Sequence, residues 1–196
     1  MEHRLEQQIQ FVIEVDKMKN ILRQTLLTDK SRRENDAEHS WHLALMAMVL
    51  YEYADQSKVN LSRVLKMALV HDLIEIDAGD TFAYDDAGNE SKAERERAAA
   101  DRIFALLPED QGSEIRALWE EFDAEETADA QYAAAIDRLQ PLINNYVSEG
   151  HPWKIANITS GRVYKRMSII KEAAPELWRL AEDIIQSSIE KGYLQK

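Results

Sequence analysis

The chain contains no cysteine, which excludes disulfides and thiolate metal sites. Proline and glycine are scarce, four and six in 196 residues, while the helix-favouring Ala, Leu, Glu, Lys and Arg abound. Positive charge is also short: 24 Lys and Arg face 36 Asp and Glu, a net charge of −12. That balance argues against a nucleic-acid polymer or an anionic membrane as the main partner. It still admits an anionic small substrate, since a metal and a few local cations decide that. No apolar run reaches the roughly 18 residues of a membrane span, and the opening Met1-Glu2-His3-Arg4-Leu5-Glu6 lacks the apolar stretch of a signal peptide. A soluble cytoplasmic protein is expected, long enough for one domain with a sizeable core.

What is present is helical periodicity. Leu5, Ile9, Val12, Ile13, Val15, Met18, Ile21 and Leu22 predict a helix over 5–24. Residues 28–35 read as a polar, basic loop containing Arg32 and Arg33. A second helix is expected from Asp36 to about Ala54, with His39 and His42 ahead of the apolar stripe Leu43, Met46, Ala47, Val49 and Leu50. After a turn at 55–60, Leu61 opens a helix that runs into the stretch His71–Asp80. The short connection makes these two helices an antiparallel hairpin, so His39 lies beside His71. Residues 80–89 form the longest irregular stretch, placed to cover whatever His71–Asp80 builds. Further helices are expected over 90–107, 112–122, 129–148 (kinked at Pro141), 160–171 and 175–191, with a loop at 150–159. No strand period stands out, and the expectation is an all-α, single-domain chain.

The chemistry gathers where the most apolar helix ends. Leu65–Val70 is followed by His71, Asp72, Glu75 and Asp77. Buried charge costs several kcal/mol unless it is paired or metal-bound. His71 and Glu75, four apart, share a helix face, and Asp72 lies about 100° round the axis. Gly79 can take the left-handed conformation that stops the helix, leaving Asp80 on the loop. Further candidate ligands are His39 and Asp137, the latter on the otherwise apolar face Ala135-Ile136-Asp137-Arg138-Leu139. His42 reads as an ordinary helix histidine, and His3 and His151 as terminus and loop residues. Two imidazoles and two carboxylates suit one divalent ion, Mn, Co, Mg, Fe, Ni or Zn, acting as a Lewis acid on a phosphoryl oxygen and acidifying its bound water.

His39, the His71-Asp72 doublet and Asp137, in that order on successive helices, resemble the H…HD…D signature of the HD superfamily of metal-dependent phosphohydrolases. The strings Arg32-Arg33-Glu34-Asn35-Asp36-Ala37-Glu38-His39-Ser40-Trp41, His71–Asp80, Leu118-Trp119-Glu120-Glu121-Phe122 and Asp137-Arg138-Leu139-Gln140 are similar to the branch that includes the bacterial 5′-deoxynucleotidases. The similarity covers about 15–147, with the helices at 160–191 packing on that core. The resemblance implies that His39, His71, Asp72 and Asp137 bind one divalent metal. It also implies that Glu75 positions or deprotonates the attacking water and that Asp80 assists. Arg32, with Arg23, Thr81 and Lys92, would meet the phosphate of a small substrate, a deoxynucleoside 5′-monophosphate, while Arg33 faces solvent. Relatives of this kind are often homodimers. The segment Arg23-Gln24-Thr25-Leu26-Leu27 departs from that branch in lacking a tryptophan. The acidic pair of guanosine tetraphosphate hydrolases and the glycine-tyrosine-proline signature of cyclic-dinucleotide phosphodiesterases are both missing. A metal-stabilised regulatory module is the competing reading, and the base and second acid at Glu75 and Asp80 set the two apart.

Overall fold

A computed structural model describes residues 2–196. Helix α1 (Glu2–Val15) leads into a 3-10 turn, Asp16–Asn20, and then a hairpin of two short strands, β1 (Leu22–Leu26) and β2 (Arg33–Asn35). The strands are antiparallel, pairing Leu22 with Asn35 and Leu26 with Arg33. This corrects the helix expected to residue 24 and the loop at 28–35. Strand alternation turns Arg23 and Thr25 inward and leaves Leu22 and Gln24 exposed. Arg23 thereby reaches Asp72, a contact that a helix running on from α1 does not provide for.

Helix α2 (Asp36–Val49) begins where expected. Asn35 caps it: its side chain accepts from the Glu38 N–H at 2.9 Å, and the Glu38 carboxylate accepts from the Asn35 N–H at 3.1 Å. Reciprocal caps of this type contribute about 1 kcal/mol, and this one sets the entry of the helix one turn before His39. A 3-10 turn, Tyr51–Tyr53, closes it.

Helix α3 (Leu61–Val70) stops before the His71-Asp72 doublet rather than carrying it. Residues 71–74 form tightened turns, in which Leu73 N–H bonds the Val70 carbonyl and Glu75 N–H the Asp72 carbonyl. A single helical turn, α4 (Glu75–Ala78), follows and ends at Gly79 with φ 75° and ψ 148°. That backbone region is open essentially to glycine alone, so Gly79 aims the chain into the loop that begins with Asp80. His71 and Glu75 are therefore brought together by a turn, not by one face of a continuous helix.

The rest is helical: α5 (Asp86–Glu90), α6 (Lys92–Phe104), α7 (Glu109–Ala124), α8 (Ala128–Val147), α9 (His151–Ile155), α10 (Ser160–Ala173) and α11 (Pro175–Glu190). Short α5 and α9 occupy parts of the two stretches expected to be irregular. Helix α8 continues through Pro141, whose missing N–H is the one that would bond to the Asp137 carbonyl.

Two apolar clusters hold these elements. The larger joins Leu43 and Ala47 of α2, Val64 and Met67 of α3, Tyr132, Ile136 and Leu139 of α8, and Met167, Ile170 and Ile185 of the last two helices. The smaller joins Met18, Leu73, Ile74, Ile103, Phe104 and Trp119. The His71-Asp72 turn spans the gap, with Met67 and Ala68 in one cluster and Leu73 and Ile74 in the other. Burial at both ends fixes a turn that carries two polar side chains, His71 and Asp72.

Candidate metal centre and its cavity

His39 of α2 and His71 after α3 face each other with ring centroids 5.4 Å apart, and Phe122 packs on the His71 ring at 4.8 Å. Both imidazoles are held by Nδ1. His71 Nδ1 lies 3.0 Å from the Ala68 carbonyl, which can only accept, so the proton is on Nδ1. His39 Nδ1 lies 3.2 Å from Gln140 Oε1, and Gln140 is oriented by donating Nε2–H to Glu34 Oε1 at 2.7 Å. Each ring thus turns its Nε2 inward, and the two point at the same place.

Asp137 Oδ1 lies 2.9 Å from His39 Nε2 and 3.6 Å from His71 Nε2; Asp72 Oδ2 lies 3.9 and 3.2 Å from the same atoms. His71 Nε2 is buried and has no hydrogen-bond partner in suitable geometry. An imidazole lone pair without a donor, between two carboxylates, fits a divalent ion. The field agrees. Burial opposes the charged form of His71, yet Asp72 and Asp137 push its pKa up to about 10. Burial opposes the charged form of Asp137 too, and the contacts with His39 and His71 hold it well below the usual carboxylate range. His39 is lowered, by burial and by the Arg23 charge. A place that attracts a proton this strongly also attracts a dication.

Arg23 closes the cluster from the hairpin side. Its Nη1 donates to Asp72 Oδ2 at 2.9 Å and lies 3.7 Å from Asp36 Oδ1, while its Nε is 3.7 Å from Glu34 Oε2. Burial, offset by Arg23, raises Glu34 and Asp36 to about 7 each. Removing one partner of a buried ionic cluster costs about 3–5 kcal/mol, so Arg23→Ala should lower unfolding stability by that order in the presence of chelator. The pH dependence has a definite sign. A carboxyl whose folded pKa is raised favours the fold below its unfolded pKa, and that contribution is lost as pH rises through about 7. The loss in denaturant unfolding should be larger at pH 8 than at pH 5; an equal loss at both would show that Glu34 and Asp36 do not feel Arg23.

The cluster opens into a cavity of about 200 Å³ whose wall includes Glu75, Asp80, Thr81 and Lys92, with Phe82, Tyr84, Trp119, Phe122 and Trp153 as its aromatic lining. Glu75 is buried beside Asp36 and Asp72, and one of its oxygens has no partner. Burial, then Asp72, Asp36 and Asp80, raise its pKa well above the usual value. Asp80 is raised as well, chiefly by burial. Lys92 lies 3.4 Å from Glu96. The Thr81 hydroxyl accepts from Arg95 Nη2 at 3.0 Å, and the same nitrogen bonds the Gly88 carbonyl. Arg95 thus holds the covering loop in place.

Arg32 is not at the cavity. It is exposed and forks onto Glu38, with Nη1 2.9 Å from Oε2, so it braces the cap of α2 instead of meeting a phosphate. Arg33 does not face solvent: it donates to the carbonyls of Leu22 and Arg23 across the hairpin. His42 is half-buried against Gln140, and His3 and His151 are exposed. Sequence reading missed Glu34, Asp36 and Gln140, which flank the ligands in strings it had already singled out.

The HD-domain family model matches residues 15–178, and all four converging side chains fall inside that range. The chain belongs to the HD-domain family. Among curated HD-domain relatives, the human 5′-deoxynucleotidase HDDC2 is 32% identical over 136 residues, which is 69% of this chain and 65% of the human one. The chain therefore spans somewhat less than two thirds of that relative's length. A solved structure described as a predicted metal-dependent phosphohydrolase, from Magnetospirillum magnetotacticum MS-1, is 53% identical, with TM-score 0.95, covering 98% of this chain and 96% of its own. An HD-domain phosphohydrolase from Listeria innocua shares the fold at 19% identity, with TM-score 0.64 over 93% of this chain and 92% of its own. No helix among the described residues is long and apolar enough to cross a membrane.

Proposed function

We propose that this HD-domain chain is a divalent-metal-dependent phosphohydrolase that releases phosphate from a small phosphorylated metabolite, a deoxynucleoside 5′-monophosphate. The observation that carries the reading is the pair of imidazoles tied by Nδ1 and converging by Nε2 on Asp72 and Asp137, beside a cavity that holds Glu75 and Asp80. The human relative, a 5′-deoxynucleotidase, and the Magnetospirillum protein, described as a predicted metal-dependent phosphohydrolase, point the same way.

His39, His71, Asp72 and Asp137 hold the ion, which when bound supplies Lewis acidity to a phosphoryl oxygen and an acidified water. Glu75, made a stronger base by burial and by its acidic neighbours, takes the proton of the attacking water in its ionised form; Asp80 meets the water or the leaving oxygen. Thr81 and Lys92 line the approach of the phosphate, and the aromatic wall shields sugar and base from water. A purely structural metal site has no need of an acid pair facing an open cavity, which disfavours the regulatory-module reading. A homodimer belongs to the same proposal: Trp41, Leu45 and Met48 give α2 an exposed apolar strip.

The test is a panel of phosphorylated metabolites with Mn, Co or Mg, read as released phosphate. Deoxynucleoside 5′-monophosphates should be turned over and the matching 3′-monophosphates should not. Metal uptake with no phosphate released from any member would favour the regulatory module.

A further inference from the structure

Four cations line the catalytic cavity: Arg23, Lys92, Arg138 and Arg166. Three are already engaged. Arg23 is bonded to Asp72, Lys92 lies 3.4 Å from Glu96, and Arg138 is bonded to Glu125. Arg166 is half-buried on α10, and its side chain makes no hydrogen bond and no ion pair with any of the described residues. It stands where the catalytic cavity meets a larger one of about 800 Å³, and Ala83, Tyr84, Glu125 and Arg138 are the other residues shared by the two walls.

Its place follows from the helix it sits on. Val163, Met167 and Ile170 seat α10 in the main core, and Met167 reaches the catalytic cavity. Arg166 precedes Met167, so its side chain leaves the core at the cavity's edge. Burial disfavours its charge; Asp137 on the facing helix supports it, while Arg138 and Arg23 oppose it. An arginine set among other cations without a carboxylate of its own keeps its planar fork of donors open.

The cavity also needs such a group. Its carboxylates outnumber its cations, and a phosphate monoester approaching that wall is repelled except at the metal and at a cation with free donors. We propose that Arg166 is a phosphate-binding residue of this site, taking an anionic oxygen of the substrate from the Asp137 side of the metal centre, a role that the sequence resemblance assigns to Arg32 together with Arg23, Thr81 and Lys92. The proposal rests on the phosphohydrolase reading, and it names the contact that the hairpin arginine, committed to Asp72, leaves unfilled.

The test titrates inorganic phosphate into the metal-loaded protein by calorimetry and measures steady-state hydrolysis of a deoxynucleoside 5′-monophosphate alongside. Arg166→Ala should weaken phosphate binding about 10- to 100-fold, the range for losing a charge-assisted hydrogen bond, and raise KM in parallel. Arg166→Lys should recover part of the loss, because the charge returns without the fork. Lys165→Ala removes the neighbouring exposed cation and should leave phosphate affinity within about twofold of the wild type. Metal content and melting temperature should be unchanged in all three variants. Wild-type phosphate affinity in Arg166→Ala would overturn the assignment, as would an equal loss in Lys165→Ala, which would show that only general positive charge matters. Failure of the wild type to bind phosphate would overturn it as well. If the wild type binds phosphate in an Arg166-dependent way but hydrolyses no ester, the hydrolase reading fails and the binding assignment stands.

Discussion

His71→Ala should strip the metal and the activity together. Loss of a partner merely supporting a ligand costs about 10- to 100-fold in metal affinity, so loss of the ligand itself should exceed about 100-fold. Asp137→Ala should do the same, because its Oδ1 lies 2.9 and 3.6 Å from the two imidazole Nε2 atoms. Elemental analysis after dialysis reads the metal, and phosphate release reads the turnover. Unfolding gives a third readout. A metal at 100 times its dissociation constant stabilises the wild type by about 2.7 kcal/mol, and each variant should lose most of that gain. In chelator the comparison isolates the protein's own electrostatics, where Asp137→Ala removes the carboxylate that faces both imidazoles. Full occupancy in both variants would take these residues out of the ligand set.

Glu75→Ala should separate chemistry from binding. The expected loss of turnover is on the order of 10² to 10⁴, the contribution of a positioned acid or base, with metal content retained. Glu75→Gln should behave alike, since it preserves size and polarity but cannot accept a proton. Glu75 also lies within reach of Asp36 and Asp72, so a ligand role is the concrete alternative. Metal content falling as far as in His71→Ala would establish that alternative and move the proton transfer to Asp80.

The covering segment matters to both experiments. Residues 79–85 and α5 are held over the cavity by Arg95, which bonds Thr81 and the Gly88 carbonyl, and by Arg162, whose Nη2 bonds the Tyr84 carbonyl at 3.0 Å and Asp86 at 2.6 Å. With Gly79 as the backbone pivot, Asp80 enters the cavity from the start of this segment.

Most of the helices and the residue types of the centre are legible in the amino-acid sequence. Apolar spacing marks α2, α3, α7, α8, α10 and α11, because a helix must bury one face and that face recurs every three to four residues. The hairpin of α2 and α3 likewise brings His39 to His71, although α2 ends at Val49 and the link, residues 50–60, is longer than the turn expected at 55–60. Tertiary structure decided what is long-range. The strand at Leu22–Leu26 sits in a stretch with helical spacing, and its pairing with Arg33–Asn35 turns Arg23 inward to Asp72. The end of α3 at Val70 depends on Leu73 and Ile74 reaching a second core built from Met18, Ile103 and Phe104. The partner of each cation was the least legible feature. Arg32 meets Glu38, Arg95 meets the loop, and Arg166 is left open, because an arginine's reach is long and its nearest carboxylate is set by the packing of distant helices.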